Sequence, residues 1–285
     1  MKIVTSPAEM KTLSLTFQKA GKKVGLVPTM GALHAGHVSL LKTAQQLCDV
    51  VVVSIFVNPA QFGPSEDFAR YPRPFDEDCK KAEENWCDVV FAPSEKGIYP
   101  EGYSTYVNVE KITDGLCGAN RPGHFRGVAT VVLKLINIVM PHIAVFGQKD
   151  GQQCLVIKRM VADLNVPVKL VIAQTVRETD GLALSSRNAY LTQDERNEAP
   201  QIYKGLKNAL ALYESGERSA ARICSAVKET YREAATFSVE YVEMVDTITA
   251  EAVSAVSGQA LVAVAVMTRE SKTRLIDNIV LGGSL

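Results

Sequence analysis

Residues 24–37 of the chain are VGLVPTMGALHAGH. The first four are apolar, and such a continuous run is typical of a strand that is buried on both faces. Glycines at 31 and 36 interrupt the run, and a helical pattern begins near residue 36. Because a strand, a turn and a helix follow one another here, the stretch predicts a βα unit of a parallel sheet.

The same alternation extends outward from this unit to about residue 175. Apolar runs predict further strands at residues 50–57, 89–92, 143–147 and 168–176, and helical patterns lie at 36–47, 75–86, 128–139 and 152–164. Strand–helix alternation favours right-handed βαβ units and a Rossmann-like, doubly wound α/β sheet. Ligands of such sheets bind beyond the carboxyl ends of the strands, so motifs that directly follow a strand carry the most weight.

The pattern changes after residue 188. Thr192 and Glu195 have the spacing of a capping box at the start of a helix. A second helical pattern covers 219–235, and strand-like segments follow at 239–245, 260–267 and 273–280. We therefore predict two domains, a Rossmann-like domain at 1–176 and a smaller α+β domain at 177–285.

Composition narrows the class of protein. The 285 residues include 31 Lys+Arg and 31 Asp+Glu, so the formal net charge is zero, which argues against a nucleic-acid partner. The N-terminus lacks the apolar core of a signal peptide, and the longest apolar runs are far shorter than the ~20 residues that span a bilayer. The six cysteines form no Cys-x-x-Cys pair. We expect a cytoplasmic protein without disulfides or membrane contact.

The turn after the first strand has the composition of a phosphate site. Gly31 and Gly36 allow close approach of the backbone, and free N–H groups at a helix start attract phosphate. His34 and His37 are three residues apart, so on a first helical turn they share a face. Two imidazoles there can neutralise the charge that develops in phosphoryl or nucleotidyl transfer. A zinc site needs a third ligand, and a plain glycine turn with two surface histidines also fits the spacing.

Neutral amides follow the second strand. Asn58 and Gln61 suit the hydroxyl and carboxylate groups of a small substrate, although Asn-Pro at 58–59 is also an ordinary turn. Two later clusters carry positive charge. Lys149 lies beside a glycine turn at a helix start, where Asp150 either caps the helix or lies near Mg²⁺. Ser185, Ser186 and Arg187 suit phosphate or form a solvated linker.

Together these motifs resemble the pantothenate synthetase (pantoate–β-alanine ligase) family of the nucleotidyltransferase superfamily. The segments that carry the resemblance are PTMGALHAGH at 28–37, FVNPAQF at 56–62, HFRGV at 124–128, GQKD at 147–150 and LSSRN at 184–188. Two positions depart from the usual family pattern. Gln148 stands where the family usually has Glu, and Gly151 stands where it usually has an aromatic residue.

The resemblance implies an ATP-dependent ligase that condenses (R)-pantoate with β-alanine through a pantoyl adenylate and releases AMP and pyrophosphate. It implies catalytic roles for His34, His37 and Lys149, with His37 as the proton donor, and pantoate contacts at Gln61 and Gln153, with Gln61 also close to β-alanine. It further implies Mg²⁺ that arrives with ATP and a homodimer formed through the N-terminal domain. Asn58 remains a substrate-binding candidate because of its residue type and its place after a strand. The ATP-binding residues implied are Met30, Gly31, Ala32, Leu33, His34, Ala35, Gly36, His37, Gly147, Gln148, Lys149, Asp150, Val176, Leu184, Ser185, Ser186 and Arg187. The metal ligands are left unassigned.

Three other functions fit parts of the pattern. A nucleotidyltransferase for a phosphorylated substrate should need more basic residues than the neutral Asn58 and Gln61 site offers. A tRNA-charging enzyme should carry a basic surface, against which the zero net charge speaks. A nucleotide-binding module without catalysis should bind ATP and release no pyrophosphate.

Overall fold

The computed structural model describes residues 1–64 and 66–285 of the chain. The strands are β1 Lys2–Val4, β2 Val24–Thr29, β3 Val50–Ile55, β4 Val89–Phe91, β5 Ile143–Gly147, β6 Lys169–Ala173, β7 Phe237–Asp246, β8 Ala260–Thr268 and β9 Arg274–Leu281. The α-helices are α1 Pro7–Lys19, α2 Ala35–Leu47, α3 Phe75–Glu84, α4 Glu95–Ile98, α5 Leu116–Asn120, α6 His124–Val139, α7 Gly151–Asp163, α8 Gln193–Glu198, α9 Gln201–Glu214 and α10 Ala220–Thr230. Short 3-10 helices cover Pro59–Gln61, Asp67–Ala69, Gln148–Asp150 and Ser186–Tyr190.

The chain forms two compact units. Unit 1 consists of Met1–Val109, Arg121–Gly147 and Val156–Ala173, and unit 2 consists of Glu110–Asn120, Gln148–Leu155 and Gln174–Leu285. The domain boundary expected between residues 176 and 177 stays a prediction, because compactness does not test which segment folds on its own.

Unit 1 contains a six-stranded parallel sheet in the order β1-β4-β3-β2-β5-β6. All of β3 except its last residue is buried, as the unbroken β-branched run from Val50 predicts. The strand order reverses between β2 and β5, since the chain progresses toward β3 on one side and toward β6 on the other. Ligands bind at such a switch point, outside the carboxyl ends of the strands.

The core beside this switch point is formed largely by β-branched strand residues and by the apolar face of α2. Leu40, Leu41 and Ala44 recur at helical spacing and pack with Val27 and Val145. Because α2 is anchored through this face, the segment that connects it to β2 is held at the carboxyl edge of the sheet.

Unit 2 is built on an antiparallel sheet in the order β7-β8-β9. The central strand, β8, is almost completely buried, and α9 and α10 pack with the sheet in one core that includes Leu206, Ile223 and Val264. The α/β fold class with a smaller α+β unit is therefore confirmed.

The predicted elements agree with the structure to within a few residues. The strand at 143–147 has the predicted bounds, and the capping box of Thr192 and Glu195 is present at the start of α8. The sequence patterns predict neither β1 nor α1. None of the helices within residues 1–64 and 66–285 has the length and apolar character that crossing a membrane requires.

Candidate active site

The turn after β2 is fixed by a carboxylate from α3. Gly31 has φ 86° and Ala32 has φ 50°, and the Asp78 carboxylate accepts hydrogen bonds from the N–H groups of Ala32 at 2.8 Å and Leu33 at 2.6 Å. Burial raises the pKa of Asp78, and the two N–H donors oppose that rise. A side chain at Gly31 would meet this carboxylate, since an added Cβ would lie 2.9 Å from Asp78 Oδ2.

The two histidines are brought together at the start of α2. Their ring centroids are 4.1 Å apart. His34 is the N-cap in extended backbone, and its Nδ1 accepts the Gly36 N–H at 3.1 Å. His37 Nδ1 accepts the His34 N–H at 3.3 Å. The helical-turn geometry expected for this pair is therefore wrong for His34, which precedes the helix, although the side chains still meet.

These bonds determine which ring nitrogen carries the proton. A backbone N–H is always the donor, so the Nδ1 atoms of His34 and His37 are acceptors. In a neutral imidazole the proton then lies on Nε2, which is the donor. Two of the N–H groups that were expected to be free for phosphate are already hydrogen-bonded, since those of His34 and Gly36 donate to imidazole nitrogens. The donors that this turn offers to a ligand are therefore the Nε2–H groups as well as the helix start.

The second predicted cluster also forms. Asn58 is 1% exposed and Gln61 is 9% exposed, and Asn58 Nδ2 donates to Gln61 Oε1 at 3.0 Å and to Gly127 O at 3.2 Å. Asn58 Oδ1 accepts from the Tyr99 hydroxyl at 2.7 Å and from the Ala60 N–H at 3.3 Å. The Asn58 amide therefore has a protein partner for both donors and two for its oxygen.

Asn58 sets the orientation of the Gln61 amide. Because Gln61 Oε1 accepts from Asn58, the Gln61 NH₂ group is directed elsewhere, and it lies 3.0 Å from Met30 Sδ. Thioether sulfur is a weak acceptor, so this amide is available as a donor to a stronger acceptor such as a carboxylate. Gln61 and Met30, both predicted site residues, are thus adjacent in unit 1.

A further polar group holds the backbone of Gln61. Its carbonyl oxygen lies 2.8 Å from His124 Nδ1, and Arg121 donates to both carboxylate oxygens of Glu66. Although burial opposes ionisation, the Arg121 guanidinium holds the pKa of Glu66 below its ordinary value. His124 belongs to the HFRGV motif, but no role for this residue is predicted from the sequence.

In unit 2, the predicted phosphate-binding segment is the 3-10 helix Gln148–Asp150 at the start of α7. Lys149 Nζ lies 3.9 Å from Asp150 Oδ2, and the side chains are 22% and 47% exposed. Both Gln148 and Lys149 offer their carbonyl oxygens to Asn278 Nδ2, at 2.8 and 2.9 Å. Asn278 is not among the residues predicted from the sequence, although the polar pair at 277–278 interrupts an apolar strand.

A second predicted segment of unit 2 is a turn-containing loop. The Leu184 N–H donates to Val176 O at 3.0 Å, which brings these two predicted residues together. Ser185 caps the following 3-10 helix by accepting the Arg187 N–H at 3.2 Å, and Ser186 begins that helix. The capping role of Ser185 was not among the sequence-based alternatives.

The remaining predicted residues are distributed as follows. Leu33 is 2% exposed and belongs to the core of unit 1, Ala35 is exposed at the start of α2, and Gly147 ends β5. Gln153 lies half-buried in the first turn of α7. No group of three or more His, Cys, Asp or Glu side chains within the described residues is arranged to hold a metal ion.

The fold is that of an α/β protein whose parallel sheet presents polar side chains at its carboxyl edge, as α/β enzymes for small molecules do. The family model for pantoate–β-alanine ligase matches residues 2–280. The chain therefore belongs to the pantoate–β-alanine ligase family, whose activity is the ATP-dependent condensation of pantoate with β-alanine.

Relatives and solved structures agree with this assignment. The chain is 51% identical over 280 residues to a pantothenate synthetase of Heliobacterium modesticaldum, covering 98% of this chain and 99% of the relative. It is 51% identical over 282 residues to that of Geobacter sulfurreducens, covering 99% of both chains. The crystal structure of pantothenate synthetase from Thermus thermophilus superposes with a TM-score of 0.91 at 43% identity, covering 98% and 99%. A pantoate–β-alanine ligase from Francisella tularensis, complexed with β-γ ATP and β-alanine, superposes with a TM-score of 0.80 at 34% identity, covering 100% and 99%.

Proposed function

We propose that this chain condenses (R)-pantoate with β-alanine in two steps. The pantoate carboxylate oxygen attacks the α-phosphorus of ATP, and the bond from that phosphorus to pyrophosphate breaks. The amine of β-alanine then attacks the acyl carbon, the bond to AMP breaks, and the amine loses a proton. A carboxylate alone is a poor acyl donor, so adenylation supplies a leaving group. The complex of the Francisella relative with β-γ ATP and β-alanine supports these substrates.

The observation that carries the first step is the pair of oriented imidazoles at the start of α2. The Nδ1 atoms of His34 and His37 accept backbone N–H groups, so their Nε2–H groups are donors. Donors that are held in place before the reaction stabilise charge without reorganisation. We assign them to the phosphates of ATP, where negative charge moves onto pyrophosphate. In unit 2, Lys149 keeps the phosphate-binding role that the family resemblance implies. Other predicted nucleotide contacts keep the roles that the family resemblance implies.

We assign Gln61 to pantoate. Its amide NH₂ is a donor held by Asn58, which matches a carboxylate or hydroxyl oxygen. Asn58 acts mainly through Gln61, since its own polar atoms have protein partners. Gln153 is the other predicted pantoate contact.

We further propose that Mg²⁺ enters as part of the Mg·ATP substrate. Mg²⁺ usually binds through one or two carboxylates together with substrate phosphates. The described residues contain no three-ligand group, and Asp150 is the carboxylate nearest in sequence to Lys149. This arrangement suits a metal delivered by ATP. We also propose that the protein is cytoplasmic and forms a homodimer through its N-terminal domain. Light scattering of the purified protein tests whether it is a dimer.

Positional isotope exchange tests the two-step scheme. Oxygen-18-labelled ATP should exchange label between the bridging and terminal positions when pantoate and Mg²⁺ are present and β-alanine is absent. Without pantoate the exchange should stop. Exchange that requires β-alanine would contradict an enzyme-bound adenylate.

A substitution at Gln61 tests its role. Gln61→Glu keeps the oxygen that accepts from Asn58 and replaces only the outward NH₂ donor by a carboxylate oxygen. A lost hydrogen bond to a charged group is worth about 1.5–3 kcal/mol, so we expect kcat/KM for pantoate to fall by about tenfold or more. Gln193→Glu, at an exposed position of α8, is the matched control. Equal pantoate kinetics in the two variants would contradict the assignment.

A further inference from the structure

Asn278 makes an unusual set of contacts for a residue in the middle of a strand. It is 3% exposed in β9. Its Nδ2 donates to the carbonyl oxygens of both Gln148 and Lys149, and its Oδ1 accepts from Gln148 Nε2 at 3.3 Å. A buried amide is costly unless it is hydrogen-bonded. Here each of its two donor hydrogens has an acceptor, and both acceptors lie in the predicted phosphate-binding segment.

The neighbouring residue of β9 holds a second predicted nucleotide-binding segment. Asp277 is 3% exposed and binds Arg177 through both carboxylate oxygens, at 2.5 and 3.0 Å. Arg177 directly follows Val176 in the chain. The Asn278 N–H also donates to Asp277 Oδ1 at 2.8 Å. Two adjacent polar residues of one strand therefore hold two loops of unit 2 that the family resemblance assigns to ATP.

The Asn278 amide has little room to rotate away from these carbonyls. Gly151, the first residue of α7, lies against it, and a Cβ added at Gly151 would be 3.0 Å from Asn278 Nδ2 and 3.1 Å from Leu261 Cδ2. The absence of a side chain at Gly151 thus leaves the space that the amide occupies. Gln148, the other departure from the family pattern, contributes the third hydrogen bond to Asn278.

From these contacts we infer that Asn278 is a positioning residue for the first half-reaction. By holding the carbonyls of Gln148 and Lys149, it fixes the backbone from which the Lys149 ammonium reaches the phosphates of ATP. The inference rests on the proposed function of Lys149. A lysine stem is long and flexible, so a fixed backbone limits where its charge can lie. A displacement of about 1 Å in a reacting group costs up to about a hundredfold in rate.

Asn278→Asp tests the inference directly. The substitution keeps the size of the side chain but turns a carboxylate oxygen toward two carbonyl oxygens, which repels the segment. We expect kcat/KM for ATP in adenylate formation to fall about ten- to a hundredfold. The KM for pantoate should stay within about twofold. The reaction of synthetic pantoyl adenylate with β-alanine should keep most of its rate, because it involves no pyrophosphate.

Two further variants separate positioning from general stability. Asn278→Ala removes the donors without adding repulsion, so it should show the same preference for the ATP step with a smaller loss. Asn208→Asp, at an exposed amide of α9 that donates to Thr230 Oγ1, is the matched control and should leave both half-reactions unchanged. Melting temperatures identify any variant that is unfolded at the assay temperature. If Asn278→Asp is unfolded, the two half-reactions of Asn278→Ala test the inference in its place.

Lys149→Ala separates the inference from the function on which it rests. If Lys149→Ala forms the adenylate normally, the proposed role of Lys149 fails. If Lys149→Ala is impaired and a folded Asn278 variant uses ATP normally, the positioning role of Asn278 is overturned. Equal losses in both half-reactions of the Asn278 variants, with a matching rise in the KM for pantoate, would also overturn it, because they indicate a general structural role.

Discussion

Asp78→Asn should weaken both the fold and the adenylation step through the turn that precedes His34. The Asp78 carboxylate, 1% exposed, accepts the N–H groups of Ala32 and Leu33. Asparagine keeps one oxygen and places an NH₂ group where the second acceptor was. One backbone N–H then faces another donor and has no acceptor.

The magnitude follows from the two bonds. Hydrogen bonds to a charged group contribute about 1.5–3 kcal/mol each, and a buried donor left unsatisfied costs about 1–3 kcal/mol. Because the retained oxygen becomes a neutral acceptor and the other bond is lost, we expect a loss of about 2–4 kcal/mol in the free energy of unfolding. The imidazole of His34 follows this turn directly, so adenylate formation should also slow by at least about tenfold.

Urea denaturation and isotope exchange measure the two effects. Asp76→Asn is the matched control, since Asp76 lies in the same first turn of α3 and is exposed. Both substitutions remove one negative charge from the helix N-terminus, which is worth about 0.3–1 kcal/mol. If Asp78→Asn is no more destabilising than Asp76→Asn, the hydrogen bonds to the turn do not fix it and the reasoning is refuted.

Three further outcomes are expected. Burial opposes ionisation of Glu195, but donors from Ser271 and backbone N–H groups lower its pKa to about 2. The stability that the Glu195 carboxylate contributes should therefore be complete above the unfolded pKa of about 4.3 and should be lost as the pH falls to about 2. The urea midpoints of Glu195→Gln and of the unmodified protein should converge on acidification, and a constant difference would contradict this. Gly31→Ala should lower the free energy of unfolding by at least about 1 kcal/mol more than Gly102→Ala does. Both residues have positive φ, but an added Cβ meets Asp78 at Gly31 and nothing within 4 Å at Gly102. Equal melting temperatures of the two variants would refute the steric argument. We also predict no tightly bound zinc at His34 and His37, and elemental analysis that finds one zinc per chain, lost in His37→Ala, would overturn this.

Five of the six strands of the parallel sheet were predictable because apolar runs in the sequence mark them. Continuous β-branched runs such as the one from Val50 to Val53 are buried on both faces, and the residues alone carry that signal. Helix α1 was missed although its sequence carries a start signal, namely Ser6 three residues before Glu9 and a proline at Pro7. In the structure, Ser6 caps the helix by accepting the Glu9 N–H. The three-residue strand β1 is too short to give any periodicity.

Most of the candidate site residues were singled out from the sequence because they directly follow a predicted strand. His34, His37 and Gln61 stand at strand ends and were singled out from the sequence. Of the residues that support them, Asn58 was singled out as well, because it stands three residues before Gln61, whereas Asp78 was not, because it comes from a distant part of the chain. Asp78 lies 46 residues from Ala32 and holds it through a carboxylate. Local spacing identifies a residue type at a helix start, but only the folded chain supplies its partner.

The division of the chain between the two units has a consequence for the order in which the protein is made. Glu110–Asn120 and Gln148–Leu155 belong to unit 2, although most of that unit begins at Gln174. Gln148 lies 130 residues before Asn278. Asn278 Oδ1 accepts a hydrogen bond from Gln148 Nε2, and Asn278 Nδ2 donates one to the Gln148 carbonyl oxygen. During synthesis, Glu110–Asn120 and Gln148–Leu155 leave the ribosome well before β9 has been made. Contacts between such distant residues form slowly, because a long loop must close first. We therefore expect unit 2 to complete its fold only after β9 has left the ribosome, and a nascent chain stalled before β9 to be more sensitive to protease than one stalled after β9.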